Sequence, residues 1–183
     1  MLFLFAWLCA IPPALALFYF SAEVFAGLRP RRPTVGPPPN AQLAVIIPAY
    51  NEAWLIAETV KAAREKAGPT TRLLVIADNC SDGTADLARS AGAEVVERAD
   101  SSRRGKVFAL ACARDFLSVR PPDAVFILDA DCRIAKGEIQ ASANYAVSLH
   151  EPVQYANLLS ASEGPPSLVL VSNFAMLITT LVR

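Results

Sequence analysis

The chain has 183 residues, enough for one domain with a genuine core. Hydrophobic residues make up 54% of it, and 17 basic residues balance 17 acidic ones, for a formal net charge of zero. No basic excess invites nucleic acid, and no acidic tail suggests disorder. The four cysteines are scattered without a CxxC pair, and His150 is the only histidine. That argues against a zinc site and fits reduced cytosolic thiols better than a disulfide framework.

The first predicted element is a membrane anchor over residues 1–28. Met1 to Ala22 carry no charged side chain, and the first is Glu23. A helix needs about 20 apolar residues to cross the hydrocarbon core. Phe3, Phe5, Trp7, Phe18, Tyr19 and Phe20 place aromatics towards both ends, and Pro12 and Pro13 predict a kink. The competing reading is a cleaved signal peptide, but no basic region precedes the apolar run. Arg29, Arg31 and Arg32 follow the run directly. By the positive-inside rule they predict a single-pass protein of the inner (plasma) membrane, with the downstream domain cytoplasmic. Residues 29–40 then read as a stiff linker rich in proline and arginine.

From residue 41 the pattern alternates between strands and helices. Short apolar runs predict strands at 43–47, 73–77, 94–97, 124–128 and 153–159. Helical spacing covers 52–67, which stops at Gly68-Pro69, then a segment capped by Ser81 or Asp82 and ending near Gly92, then 104–118 and 136–149. Nearly unbroken apolar strands alternating with helices imply an α/β fold, with a mostly parallel sheet covered on both faces. The apolar segment 168–182 is short for a span. It can lie along the membrane surface, pack on the domain or form a second membrane helix.

In a parallel sheet, ligands bind beyond the carboxyl ends of the strands. Three polar clusters follow strands here: Pro48–Glu52, Asp78–Thr84 and Asp129–Asp131. Asp129 and Asp131 come straight after a buried strand, and two carboxylates so close favour a divalent cation between them and phosphate oxygens. They can equally be loop aspartates, one of them capping a helix. Asp78 can accept a hydrogen bond from an imide N–H such as that of uracil, or belong to an ordinary turn. Glu52 opens a predicted helix, where the dipole alone favours a carboxylate. Arg103, Arg104 and Lys106 can meet a diphosphate or a base, or be solvated charges. There is no G-x-G-x-x-G after the first strand, no P-loop and no G-x-S-x-G elbow.

Four segments in order resemble family 2 glycosyltransferases. They are Val45–Glu52, Val75–Thr84, Arg104–Leu110 with its Gly-Lys-x-x-Ala-Leu pattern, and Asp129-Ala130-Asp131. The resemblance spans roughly residues 41–183. With the leading apolar helix, the order of elements looks most like membrane-bound synthases of the cellulose and poly-N-acetylglucosamine type, enzymes of polysaccharide biosynthesis. It implies an inverting enzyme of GT-A (Rossmann-like) fold that uses a nucleotide-diphosphate sugar, usually with UDP. By motif, Pro48, Ala49, Tyr50 and Glu52 would line the nucleoside pocket, Asp78 would bind the base and Lys106 would sit beside the nucleotide. Asp129 would approach ribose and metal, and Asp131 would ligate Mn2+ or Mg2+. Two departures stand out. Asn79 replaces the second aspartate usual in the second motif, and neither the family's Glu-Asp catalytic base nor its Gln-x-x-Arg-Trp motif is present. The expected base lies beyond Arg183, which makes 41–183 an incomplete domain. It leaves open a non-catalytic nucleotide- or partner-binding protein, or a partner chain that supplies the missing half.

Overall fold

The computed structural model describes residues 2–27, 41–134, 139–154, 169–173 and 176. It divides into two units: 1–34 with 154–183, and 35–153.

In the first unit, helix α1 runs Leu2–Gly27 with Pro12 and Pro13 inside it. Ser21 Oγ donates to the Leu17 carbonyl at 2.8 Å, one turn back. The predicted membrane span is overturned, because among the described residues no helix is long and apolar enough to cross a membrane. The inner-membrane location, the single-pass topology and the membrane as a partner rested on that span and fall with it. Residues 169–173 and 176 are helical, and no second span is found there either.

The second unit is built on four parallel strands: β1 (Leu43–Ala49), β2 (Arg72–Asp78), β3 (Glu94–Arg98) and β4 (Ala124–Ile127), in spatial order β3-β2-β1-β4. The helices are α2 (Ile56–Ala67), α3 (Thr84–Ser90), α4 (Lys106–Leu117) and α5 (Ile139–Leu149). Strand alternation sorts the core into two layers. Val45, Ile47, Leu73 and Val75 face Ile56, Val60, Ala88 and Ile139 of α2, α3 and α5. Ala44, Ile46, Leu74 and Ile76 face Ala109, Ala113 and Leu117 of α4. With both faces covered, β1 and β2 are almost wholly apolar, as their sequence shows.

The chain steps outward from β1 to β2 to β3, then returns to place β4 on the other side of β1. Reversing direction while keeping right-handed crossovers moves α4 to the opposite face from α2 and α3. The reversal leaves a crevice between β1 and β4 at their carboxyl ends. Pro48 helps to open it. Leu128 N donates to Ile46 O at 3.0 Å, and the next step of that parallel ladder would need an N–H that Pro48 lacks.

Element boundaries differ from expectation mainly at α2. The helix starts at Ile56 rather than at Glu52, after a turn in which Leu55 N and Ile56 N both donate to Glu52 O. Glu58, not Glu52, is the acidic residue of its first turn. The predicted strand at 153–159 is not strand at Val153 and Gln154, and 155–159 lie outside the described residues, as do 136–138 of the predicted helix at 136–149.

Candidate nucleotide and metal site

Two loops at the carboxyl ends of β1 and β2 are stitched together before any ligand is considered. Asn51 adopts φ 53° and Asn79 φ 55°. Such left-handed conformations suit asparagine better than most residues. Asn51 Oδ1 accepts from Ser81 N at 2.8 Å, and Asn51 N donates to Cys80 Sγ at 3.4 Å. Glu52 N donates to Thr84 Oγ1 at 2.9 Å, and Ala53 N to Asp82 Oδ2 at 3.2 Å. Asp82 also accepts from Thr84 N and from its hydroxyl. The Thr84 bond, first among several, holds the Asp82 carboxyl below the usual aspartate range. Asp82 and Thr84 are thus scaffold, binding the first motif to the second.

These loops, with the start of α4 and the end of β4, enclose an open cavity of about 540 Å3. The residues that the resemblance assigned to the site all line it: Pro48, Ala49, Tyr50, Glu52, Asp78, Lys106, Asp129 and Asp131; Arg104 lines it too, with Asn79 and Gly105. Arg103 does not line it; it pairs with Asp100 at 3.5 Å. Gly105 takes φ 114°, where a side chain would be strained, and brings the backbone into α4 at the cavity wall. The first turn of α4 has no acidic residue and no side-chain cap, so its N–H groups suit an anion.

Asp129 and Asp131 approach each other as anticipated, and Cys132 joins them. One donor atom from each lies within 4.8 Å of the others. Burial, then the charges of Asp131 and Asp129, push the Cys132 thiol above its usual range. The carboxylates are hard oxygen donors, which suit Mn2+ or Mg2+ better than a soft sulfur does. Lys106 Nζ makes an ion pair with Asp129 Oδ1, tying the third motif to the fourth.

The sequence reading missed Arg98. This last residue of β3 donates from Nη1 to Asp78 Oδ1 at 2.5 Å and from Nη2 to Asp100 Oδ2 at 3.1 Å, and its guanidinium lies 5.6 Å from the centre of the Phe108 ring. Asn79 Nδ2 donates to the same Asp78 oxygen at 2.9 Å. The only available signal was a charge that ends a strand in a buried sheet.

The family profile described as "Glycosyltransferase like family 2" matches residues 38–174. The chain belongs to this family. Among curated proteins none matches. Among solved structures, a mannosyltransferase from Pyrobaculum calidifontis in complex with GDP-Man and Mn2+ is similar at 28% identity, with a TM-score of 0.55. The alignment covers 74% of this chain and 40% of that one, so this chain spans well under half of that enzyme's length. Glucosyl-3-phosphoglycerate synthase from Mycobacterium tuberculosis, in complex with Mn2+, UDP and glucosyl-3-phosphoglycerate, matches at 27% identity over 50% of this chain and 34% of that one. Its TM-score of 0.43 is too low to carry an argument. The fold is thus a glycosyltransferase sheet of GT-A type with a cluster suited to a divalent cation. The narrower likeness to membrane-bound synthases is overturned along with the span on which it rested.

Proposed function

We propose that this chain binds a nucleotide-diphosphate sugar, with UDP as the foremost candidate, and serves its transfer to an acceptor hydroxyl. The observation that carries the reading is the convergence of three loops and the α4 N-terminus on one cavity, lined by the acids Glu52, Asp78, Asp129 and Asp131 and by Arg104 and Lys106. Asp78 would receive the base, and Pro48, Ala49, Tyr50 and Glu52 would surround the nucleoside. Lys106, Arg104 and the open N–H groups of α4 would meet the diphosphate. Asp131 and Asp129 would hold Mn2+ or Mg2+, which supplies charge neutralisation for the departing diphosphate. Lys106, paired with Asp129, is close enough to the cluster to turn to a phosphate oxygen of the donor. The mannosyltransferase in complex with GDP-Man and Mn2+ supports a nucleotide-sugar donor and a divalent cation.

An inverting transfer also needs a base for the acceptor proton. We assign none among the described residues, since no further carboxylate lines the cavity apart from Glu52, Asp78, Asp129 and Asp131. Titration calorimetry of the chain with UDP in the presence of Mn2+ tests the reading. Binding that disappears on Asp131→Ala supports it, and equal binding by wild type and variant overturns it.

A further inference from the structure

Arg98 and Asp78 sit directly opposite each other in the β2–β3 register, at the cavity end of both strands. Their side chains are 14% and 9% exposed, so each charge depends on the other. The pairing is lopsided. Arg98 Nη1 and Asn79 Nδ2 both donate to Oδ1 of Asp78, and none of the hydrogen bonds described for Asp78 reaches Oδ2. Among the described residues no side-chain oxygen is both sealed from solvent and unpaired. Asp78 lines the cavity, so Oδ2 is the acceptor it presents there.

Resting on the nucleotide-site reading above, we infer that Arg98 is a positioning residue for base selection. It occupies one oxygen of Asp78 and so fixes the orientation of the carboxylate, leaving the other oxygen as the acceptor that faces the base. Its second arm on Asp100 and its stacking on Phe108 hold the guanidinium in place. Asp100 N in turn donates to Asn79 Oδ1 at 2.8 Å, which orients the Asn79 amide so that its nitrogen points back to Asp78. A lone carboxylate oxygen accepts and never donates. It therefore favours a base edge that carries an imide N–H, as uracil and guanine do, over the bare ring nitrogen that cytosine and adenine present.

The test is Asp78→Asn in the full chain. With Arg98 and Asn79 still donating to the Oδ1 position, the amide oxygen must settle there and the amide N–H must face the cavity. Acceptor becomes donor, and the base preference should invert. Titration of wild type with UDP and with CDP, both with Mn2+, should favour UDP by about tenfold. Asp78→Asn should favour CDP. The double variant D78N/R98M leaves only Asn79 to hold the amide oxygen, so its preference for CDP should shrink by about threefold or more. It removes both charges together, so no unpaired buried charge threatens the fold. If the double variant keeps the CDP preference of D78N, or if D78N keeps the UDP preference, the role of Arg98 is overturned while the nucleotide site stands. If wild type binds none of UDP, CDP and GDP with Mn2+, the nucleotide-site reading fails first, and the role of Arg98 with it.

Discussion

β2 and β3 are bridged by an arginine–carboxylate pair at each end, and the two pairs are built alike but finished differently. At the amino ends Arg72 reaches across to Glu94, and at the carboxyl ends Arg98 reaches across to Asp78. Each arginine lies against a phenylalanine of α4, Arg72 against Phe116 and Arg98 against Phe108. In the first pair, Nε and Nη2 of Arg72 take both oxygens of Glu94 at 2.9 Å, and the third donor, Nη1, goes to the Arg120 carbonyl. That fork is closed. In the second pair one carboxylate oxygen takes two donors and the other takes none among the described residues. A closed pair is a clasp, and an open one is a clasp with a free valence on a cavity. Both ends of the sheet have a hollow, about 420 Å3 at the amino end and about 540 Å3 at the carboxyl end. Hollow volume alone does not separate them; unfinished hydrogen bonding does.

The largest expected effect separates the pairs by stability. Arg98→Met strands a nearly buried carboxylate and should cost about 3–5 kcal/mol in chemical denaturation. Arg72→Met leaves Glu94, 39% exposed, to be rehydrated and should cost about 1 kcal/mol or less. Equal losses would erase the distinction between clasp and site. Next comes the metal cluster: Asp131→Ala, or chelation of the metal, should weaken UDP binding by roughly 100-fold by calorimetry. Arg120→Ala, at the closed end, should leave it unchanged.

A smaller effect is expected at Lys106. Lys106→Met removes a half-exposed partner of Asp129 and should weaken UDP about tenfold, with a thermal midpoint close to that of wild type. A large fall in the midpoint would recast Lys106 as scaffold. The smallest effect is the pH dependence of the closed pair. The hydrogen bond from Arg72, first among the causes, lowers the Glu94 carboxyl below its ordinary value of 4.5. The unfolded chain then binds the proton more readily than the folded one. The stabilisation is therefore complete above about 4.5 and is lost as the pH falls through the lower folded value. Glu94→Gln should flatten that acid limb slightly and leave stability at pH 8 lower by well under about 1 kcal/mol.

The sheet was legible because burial on both faces demands unbroken apolar runs, and Leu43–Ala49 and Arg72–Asp78 carry them. The turn residues between those runs marked the loops, and four loop motifs marked the family. The anchor was misjudged for a related reason: an apolar, charge-free run announces burial without saying in what. The start of α2 was misjudged because Glu52 looks like a first-turn acid, whereas its backbone N–H is taken by Thr84 from the neighbouring loop.

Local composition therefore determined the alternation of strands and helices, the family and the acids at the strand ends, because each depends on neighbours along the chain. Two further things were decided only in the tertiary structure. They are the direction of the crossover that opens the crevice beside Pro48, and the oxygen of Asp78 that Arg98 and Asn79 leave without a donor among the described residues. Each depends on groups that are distant in sequence or on the geometry of packed elements, and hydrogen-bond valence is counted in space.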